Sequence, residues 1–299
     1  MSGQSNQLVI SVIIPYYNKY TRLLRVLDAL DKQTIPKESF EVIIVDDGSQ
    51  VELSKQEKIK EYQQKINMEI IRNQNNGRSK ARNTGIENAK ADLLAFLDDD
   101  VVLPDYFLER HIQYHANGEK VFVHSKVIDD YQMYFEDRYC KSPSTKSKKV
   151  VDKLERINKD LRKVPVAEAL CDAVYNEKMV KGLDWVGFIT NNVSVSKADV
   201  ISESMFLEEF SSWGCEDYEL GYRLCLKGYK MIYDDLLLIH SPHNMRTAES
   251  IRTSFQKYYL LYQDYRITLV EQYFLDEITQ EELIRQIRDK EKKINNEGV

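Results

Sequence analysis

Leu93-Leu94-Ala95-Phe96-Leu97 runs straight into Asp98-Asp99-Asp100, and that junction restricts the fold more than any other stretch of the chain. An apolar run of this length bounded by a turn reads as a buried strand. Three successive carboxylates at its tip repel one another, so a nearby cation would help hold them there. An isolated Asp-Asp-Asp is most often a solvated acidic turn. Here Val101-Val102-Leu103-Pro104 returns the chain to apolar surface, which favours a divalent-metal site instead. Hard cations take oxygen ligands and bridge phosphate oxygens, so the implied ligand pair is a metal and a nucleotide diphosphate.

Upstream, apolar runs alternate with helical patterns. Leu8 to Ile14 is β-branched and reads as a strand ended by Pro15; Tyr20 to Gln33 carries Leu23, Leu24, Leu27 and Leu30 at helical spacing. A strand at Glu41 to Val45 stops at Asp46-Asp47-Gly48-Ser49, a polar helix spans Leu53 to Lys65, and a short strand spans Met68 to Arg72. A helix at Gly77 to Ala89 leads into the Leu93 strand. This alternation implies a parallel sheet with right-handed crossovers, whose ligands bind outside the carboxyl ends of the strands. Pro15-Tyr16-Tyr17-Asn18, Asp46-Asp47 and Asp98-Asp99-Asp100 all fall at such ends, so three polar tips converge on one edge.

Beyond Pro104 the pattern weakens. A helix is expected at Tyr106 to Asn117 and a short strand at Val121 to Val123. Residues 141–163 are basic and Ser/Lys-rich and read as a solvated loop and surface helix rather than an acceptor or anionic-lipid contact. A strand at Asn191 to Ser196, a helix at Gly214 to Lys227 and a strand at Tyr229 to His240 follow. From Glu249 onward there are two long helical patterns, the first rich in tyrosine, before a frayed end at Lys290 to Val299. That tyrosine-rich helix is expected to cover the core; pairing two subunits or meeting a membrane surface are the other readings.

Composition excludes several classes. A net charge of -6 argues against a dedicated nucleic-acid binder. Cys140, Cys171, Cys215 and Cys225 have no metal-ligand spacing and read as reduced thiols. No basic and apolar leader opens the chain and no run is long enough to span a bilayer. The expectation is a cytoplasmic protein that can touch a membrane surface without crossing it.

Five motifs in order carry a resemblance: Ile-Pro-Tyr-Tyr-Asn, Val-Asp-Asp-Gly-Ser, Asn-Gly-Arg-Ser-Lys-Ala-Arg-Asn, Asp-Asp-Asp and Trp-Gly-Cys-Glu-Asp-Tyr-Glu-Leu. From about Val9 to about His243 the chain resembles a family 2 glycosyltransferase of the α/β GT-A fold, a mostly parallel nucleotide-binding sheet flanked by helices. Its second half is similar to the galactosyltransferase-type region of chondroitin polymerases, polypeptide N-acetylgalactosaminyltransferases and β-1,4-galactosyltransferases. The expected division is a glycosyltransferase domain over residues 1–245, with a nucleotide-binding half at 1–103 and an acceptor half at 104–245, and a helical extension at 246–299.

The resemblance implies roles. Asp47 would accept the imino hydrogen of uracil, with Pro15, Tyr16 and Tyr17 flanking the base; an Asp in a turn also bonds its own backbone. Arg82 or Lys80 would pair with a donor phosphate or hold an acidic strand tip, near a helix N-terminus suited to anions. The family's Asp-x-Asp maps Asp98 toward the ribose and Asp100 onto the metal, with Asp99 intervening. His240 and His243, three residues apart, match the ligand turn of the galactosyltransferase pattern, and mixed oxygen and imidazole ligation suits Mn2+, with Mg2+ admissible. In Trp213-Gly214-Cys215-Glu216-Asp217 the indole is a platform for a sugar face and Gly214 lets the loop approach it. Asp217 is assigned as general base and Glu216 to sugar hydroxyls or base support; acidic capping of a helix is the bland alternative. Asn191 or Asn192 would bond sugar hydroxyls, or simply make a turn.

The implied activity is inverting, metal-dependent transfer from a nucleotide-sugar, UDP preferred, to the hydroxyl of a glycan, peptide or small-molecule acceptor, with oligomerisation through the C-terminal helices open. A processive synthase is disfavoured, because Trp185 and Trp213 are the only tryptophans and no Gln-x-x-Arg-Trp exists. A sugar-phosphate nucleotidyltransferase would need a Gly-rich loop where Pro15-Tyr16-Tyr17-Asn18 stands. A non-catalytic binding protein is opposed by intact Asp100, Asp217, His240 and His243.

Overall fold

A computed structural model describes residues 8–131, 162–177, 182–210, 214–242 and 247–297. Its centre is a twisted sheet in the order β3-β2-β1-β4-β8-β6-β9-β5. The strands are β1 (Ile10–Tyr16), β2 (Phe40–Asp46), β3 (Met68–Arg72), β4 (Leu93–Leu97), β5 (Val101–Val102), β6 (Val121–Asp130), β7 (Arg162–Lys163), β8 (Asn192–Ser196) and β9 (Lys230–His240). β7 pairs with β6 off the main path.

The first four strands are parallel, as the alternation implied. The second half departs from it: β8 runs antiparallel to both β4 and β6, and β5 runs antiparallel to β9. β1 and β2 read as near-continuous apolar runs because both faces are covered. Ile13, Ile43 and Phe96 point into one core, whereas Val12, Val42 and Ala95 point into the other.

Helices α1 (Tyr20–Asp31), α2 (Glu57–Gln63), α3 (Arg78–Asn88) and α4 (Phe107–His115) connect the strands. Pro15 does not end β1 but lies within it, opposite Val45. β4 pairs with β1 only as far as Ile13, so Pro15 stands where β2 alone is its ladder partner. The polar segment after Asp47 is no single helix: a 3-10 turn at Leu53–Lys55 precedes α2. β6 is far longer than Val121 to Val123, running along β9 through a register shift at Ser125/Lys126. Of residues 141–163, only Arg162 and Lys163 are described, as β7; the rest of that basic segment lies outside the described residues.

Helices α5 (Val166–Glu177), α6 (Lys197–Ser202) and α7 (Glu216–Leu226) pack on the later strands. The C-terminal region forms three helices rather than two, α8 (Ala248–Tyr262), α9 (Tyr265–Phe274) and α10 (Gln280–Glu297), and α10 continues through the stretch expected to fray. Their buried side chains join the same core as the sheet. Tyr258 is fully buried and meets Trp185 edge-on at 5.5 Å and Tyr222 at 5.9 Å. Among the described residues no helix is long and apolar enough to cross a membrane.

α4 carries a buried polar cluster. His111 contacts Ser194 Oγ at 2.8 Å and Ser125 Oγ at 2.9 Å, and His115 contacts Ser194 Oγ at 2.9 Å. Burial holds the His115 imidazole down at about 4 and that of His111 well below its usual value near 6.5. Between those limits the unfolded chain takes up protons that the folded one refuses, so stability falls as pH falls from 6.5 toward 4. The expected slope is about 1.4 kcal/mol per pH unit for each such histidine. Urea unfolding across this window measures it, and His115→Asn flattens the dependence.

Candidate active site

The carboxyl ends of β1, β2 and β4 and the N-terminus of α7 open onto one cleft of about 440 Å³. Pro15, Tyr16, Tyr17, Asp47, Asp98 and Asp99 line one end. Gly214, Glu216, Asp217 and His240 also line it, together with Ile251, Phe255 and Phe274 from α8 and α9. Trp213 and His243 lie outside the described residues.

Register brings the acidic tip to the histidine. β5 pairs Val101 with His240, and the Ser241 amide donates to the Asp100 carbonyl at 3.0 Å. On the other side of β9, β6 sets Asp129 beside His240, and the two side chains meet at 2.6 Å through Nδ1. His240 Nε2 then stands 3.5 Å from Asp100 Oδ1. Burial opposes charge on this imidazole, but Asp129 and Asp100 outweigh it and raise its pKa. A carboxylate fixing one ring nitrogen while the other faces a second carboxylate is the usual support of a metal-binding histidine. Among the described residues no three His, Cys, Asp or Glu side chains are arranged to enclose a metal ion. Asp100 and His240 could hold a divalent cation only as a two-ligand corner, across their 3.5 Å approach.

Each carboxylate of the triplet has a cation. Lys19 Nζ reaches Asp99 Oδ1 at 3.1 Å and Asp100 Oδ2 at 3.0 Å, and Arg22 reaches Asp100 Oδ2 at 3.4 Å. Burial pushes the Asp99 carboxyl up to about 7, against the pull of Lys19 and with the added push of Asp100. Burial and the charge of Asp99 likewise hold the Tyr16 phenol up at about 12. Arg82, whose side chain is 2% exposed, donates to Asp98 Oδ1 at 3.2 Å and to Glu216 Oε1 at 2.9 Å. Arg82 thus holds the acidic tip, the second of the two roles open to it. Lys80 pairs with Glu208 at 3.0 Å and does not line the cleft.

α7 begins with a turn that separates its acids. Gly214 has φ +103°, and Cys215 is left-handed at φ 66°, a conformation uncommon outside glycine. Glu216 is buried against Arg82 and has Arg78 at 3.7 Å; burial raises its pKa, but the two arginines outweigh that and hold it low. Glu216 Oε2 is buried with no hydrogen-bond partner. Asp217 is half-buried, and its Oδ2 receives long contacts of 3.5 Å from the Thr190 amide and hydroxyl.

Two expectations change. Asn192 is fully buried and does not line the cleft: its Oδ1 accepts from the Ser125 amide at 2.8 Å, and its Nδ2 donates to the Ser125 carbonyl at 3.1 Å. It locks β8 to β6 beside the register shift, and Asn191 is the one that lines the cleft. Asp47 accepts from the amides of Asn76 and Gly77 at 3.0 and 2.9 Å, so it holds the loop before α3 while still lining the cleft. Lys19, Arg22 and Arg78 were missed. Lys19 and Arg22 follow the Tyr-Tyr-Asn motif at i, i+3 on α1, a spacing that sets them on one face.

Comparisons with known proteins bear on the family and the fold. The sequence model described as Glycosyl transferase family 2 matches residues 11–177. The chain is similar to the uncharacterized glycosyltransferase YfnE of Bacillus subtilis (strain 168), with 28% identity over 82% of this chain and 68% of that protein. It is 31% identical to validoxylamine A glucosyltransferase of Streptomyces hygroscopicus subsp. jinggangensis (strain 5008) over 84% of this chain, but spans only 59% of that relative's length. Among solved structures, S. aureus TarS 1-349 in complex with UDP-GlcNAc has a TM-score of 0.59 at 19% identity, covering 88% of this chain and 66% of that one. GalNAc-T7 with UDP, GalNAc and Mn2+ has a TM-score of 0.53 at 18% identity, covering 81% and 44%. At these identities the solved structures share the GT-A fold with this chain.

Removing Arg82 takes the hydrogen-bonded cation from Asp98 and leaves the fully buried Glu216 with only the 3.7 Å approach of Arg78. Arg82→Met is expected to lose about 3–5 kcal/mol, read as a lowered urea midpoint.

Proposed function

The chain belongs to glycosyl transferase family 2, and from that premise we propose that it moves a sugar from a uridine diphosphate sugar to an acceptor hydroxyl with inversion of configuration. The observation that carries the reading is the joining of the strand-tip carboxylates to the Glu216-Asp217 helix start through Arg82, all on one cleft. In this reading Pro15, Tyr16, Tyr17 and Asp47 receive the uracil end, and Asp98 the ribose. Asp99, which pairs with Lys19 before a ligand enters, lies between Asp98 and Asp100. Asp100 and His240, with His243, would hold Mn2+ or Mg2+, which when bound would offset charge on the leaving diphosphate.

Asp217 is the proposed base. Glu216 is tied to Arg82, whereas Asp217 lines the cleft, where the Thr190 amide and hydroxyl meet its Oδ2 only at 3.5 Å. Asp217 takes the proton of the acceptor hydroxyl as that oxygen attacks the anomeric carbon, and the bond to the diphosphate breaks on the opposite face. Arg78, half exposed beside Glu216, is placed to meet phosphate oxygens. Gly214 leaves room for the transferred sugar, with Trp213 as its platform and Asn191 offering an amide.

The acceptor end is apolar. Tyr218 follows Asp217 directly, and its ring lies 6.3 Å from Phe255 and 6.1 Å from Phe274. The acceptor is read as a ring whose apolar face stacks there, in surface-glycan synthesis or in modification of a peptide or small metabolite.

Asp217→Asn is expected to lower transfer about 10²–10⁴-fold while leaving nucleotide affinity unchanged. Calorimetric titration of nucleotide diphosphates with and without Mn2+ tests the whole reading; no binding across the panel would sink it. Once an acceptor turns over, Phe274→Ala is expected to raise its KM up to about tenfold, with UDP affinity untouched.

A further inference from the structure

The protein neutralises its own carboxylate cluster. Among the described residues, Asp98, Asp99, Asp100 and Glu216 meet Lys19, Arg22, Arg78 and Arg82, so each carboxylate already has a cation beside it. Within that set Lys19 bridges Asp99 and Asp100, and it does so from the wall of the cleft with 30% of its side chain exposed. Arg22 differs: only 13% of its side chain is exposed, and it also donates to the Ser241 carbonyl at 3.3 Å.

The backbone fixes where Lys19 starts. Asn18 is left-handed at φ 56°, its amide donates to Ser49 Oγ, and its Oδ1 accepts from the Gln50 amide. That turn delivers Lys19 to the N-cap of α1, one residue from the β1 tip motif. Beyond the fixed Cα, a lysine has a flexible four-carbon stem and a head group that changes partners readily.

We infer that Lys19 makes divalent-cation binding at Asp100 and His240 conditional on the nucleotide. This rests on reading the cleft as a nucleotide-sugar site. A dication that enters a cluster whose carboxylates already have cations beside them adds positive charge with no new anion to offset it, an electrostatic cost that low dielectric enlarges. A nucleoside diphosphate brings the missing anion. Lys19 then leaves Asp99 and Asp100 to the cation and moves its ammonium onto the diphosphate oxygens. No covalent bond changes in this exchange; one ion pair replaces another. Because linkage is reciprocal, the cation strengthens nucleotide binding by the same factor.

The test is titration calorimetry of Mn2+ alone, UDP alone and Mn2+ in saturating UDP, on the full chain. In the unsubstituted protein Mn2+ is expected to bind at least about tenfold tighter with UDP than without. In Lys19→Met, Mn2+ alone is expected to bind at least about tenfold tighter than in the parent, because the ammonium no longer occupies the carboxylates. Metal-free UDP affinity should fall, and the coupling factor should shrink. Lys19→Arg, which keeps the charge, should retain the coupling. Equal Mn2+ affinity with and without UDP in the parent overturns the inference without any variant, even if Lys19→Met fails to fold. So does a folded Lys19→Met that binds Mn2+ alone no better than the parent. If UDP does not bind at all, the proposed function fails and the coupling with it, whereas the Mn2+-alone comparison still decides whether Lys19 guards the carboxylates.

Discussion

Arg82 is the residue through which the two ends of the cleft become one site. It rises from α3, between the third and fourth strands, and its guanidinium reaches the β4 tip and the start of α7 together. The fully buried Glu216 could not stay charged there unpaired, since desolvating an unpaired charge costs several kcal/mol. The ring of Phe206, 5.6 Å from the guanidinium carbon, closes the apolar side of the same cage. The spacing between the β4 tip and the start of α7 is therefore set by one planar group of fixed width, a job lysine could not do.

The triplet at 98–100 shows the same economy of position. The three aspartates are answered from three elements: Asp98 by α3, Asp99 by Lys19 at the start of α1, and Asp100 by Lys19, by Arg22 of α1 and by the end of β9. Consecutive side chains diverge, so no single cation could serve all three. His240 joins the set only because β5 and β6 flank β9 at that residue, with Val101 on one side and Asp129 on the other.

What the sequence made legible follows from which interactions are local. β1 to β4 and their helices could be read because apolar runs and helical spacing are written in contiguous residues, and a parallel sheet then fixes where the tips point. The antiparallel second half could not, because β6 gains its length from pairing with β9, more than a hundred residues away. Asp98, Asp217 and His240 were found as motif residues at strand and helix ends. Lys19 and Arg78 were not, because a cation next to a motif looks like any surface charge until the fold brings a carboxylate to it. Asn192 was misread for the converse reason: adjacent asparagines look alike in sequence, and only the β8 register decides that Asn192 faces Ser125.

The C-terminal helices belong to this chain of dependence rather than lying over it. α7, which carries Glu216 and Asp217 at its first turn, is gripped along its length by α8 and α9. Tyr222 donates to Asp264 at 2.9 Å, and Glu219 accepts from Tyr262 as well as from Arg223. Trp185, buried beneath, touches Tyr218, Tyr222 and Tyr258 edge-on. A cover that merely shielded apolar surface would need no such polar contacts on a helix one turn from the proposed base. With them, α8 and the start of α9 are tied to α7 by hydrogen bonds as well as by packing, so the position of Asp217 relative to Asp98 depends on residues 248–274 as much as on Arg82.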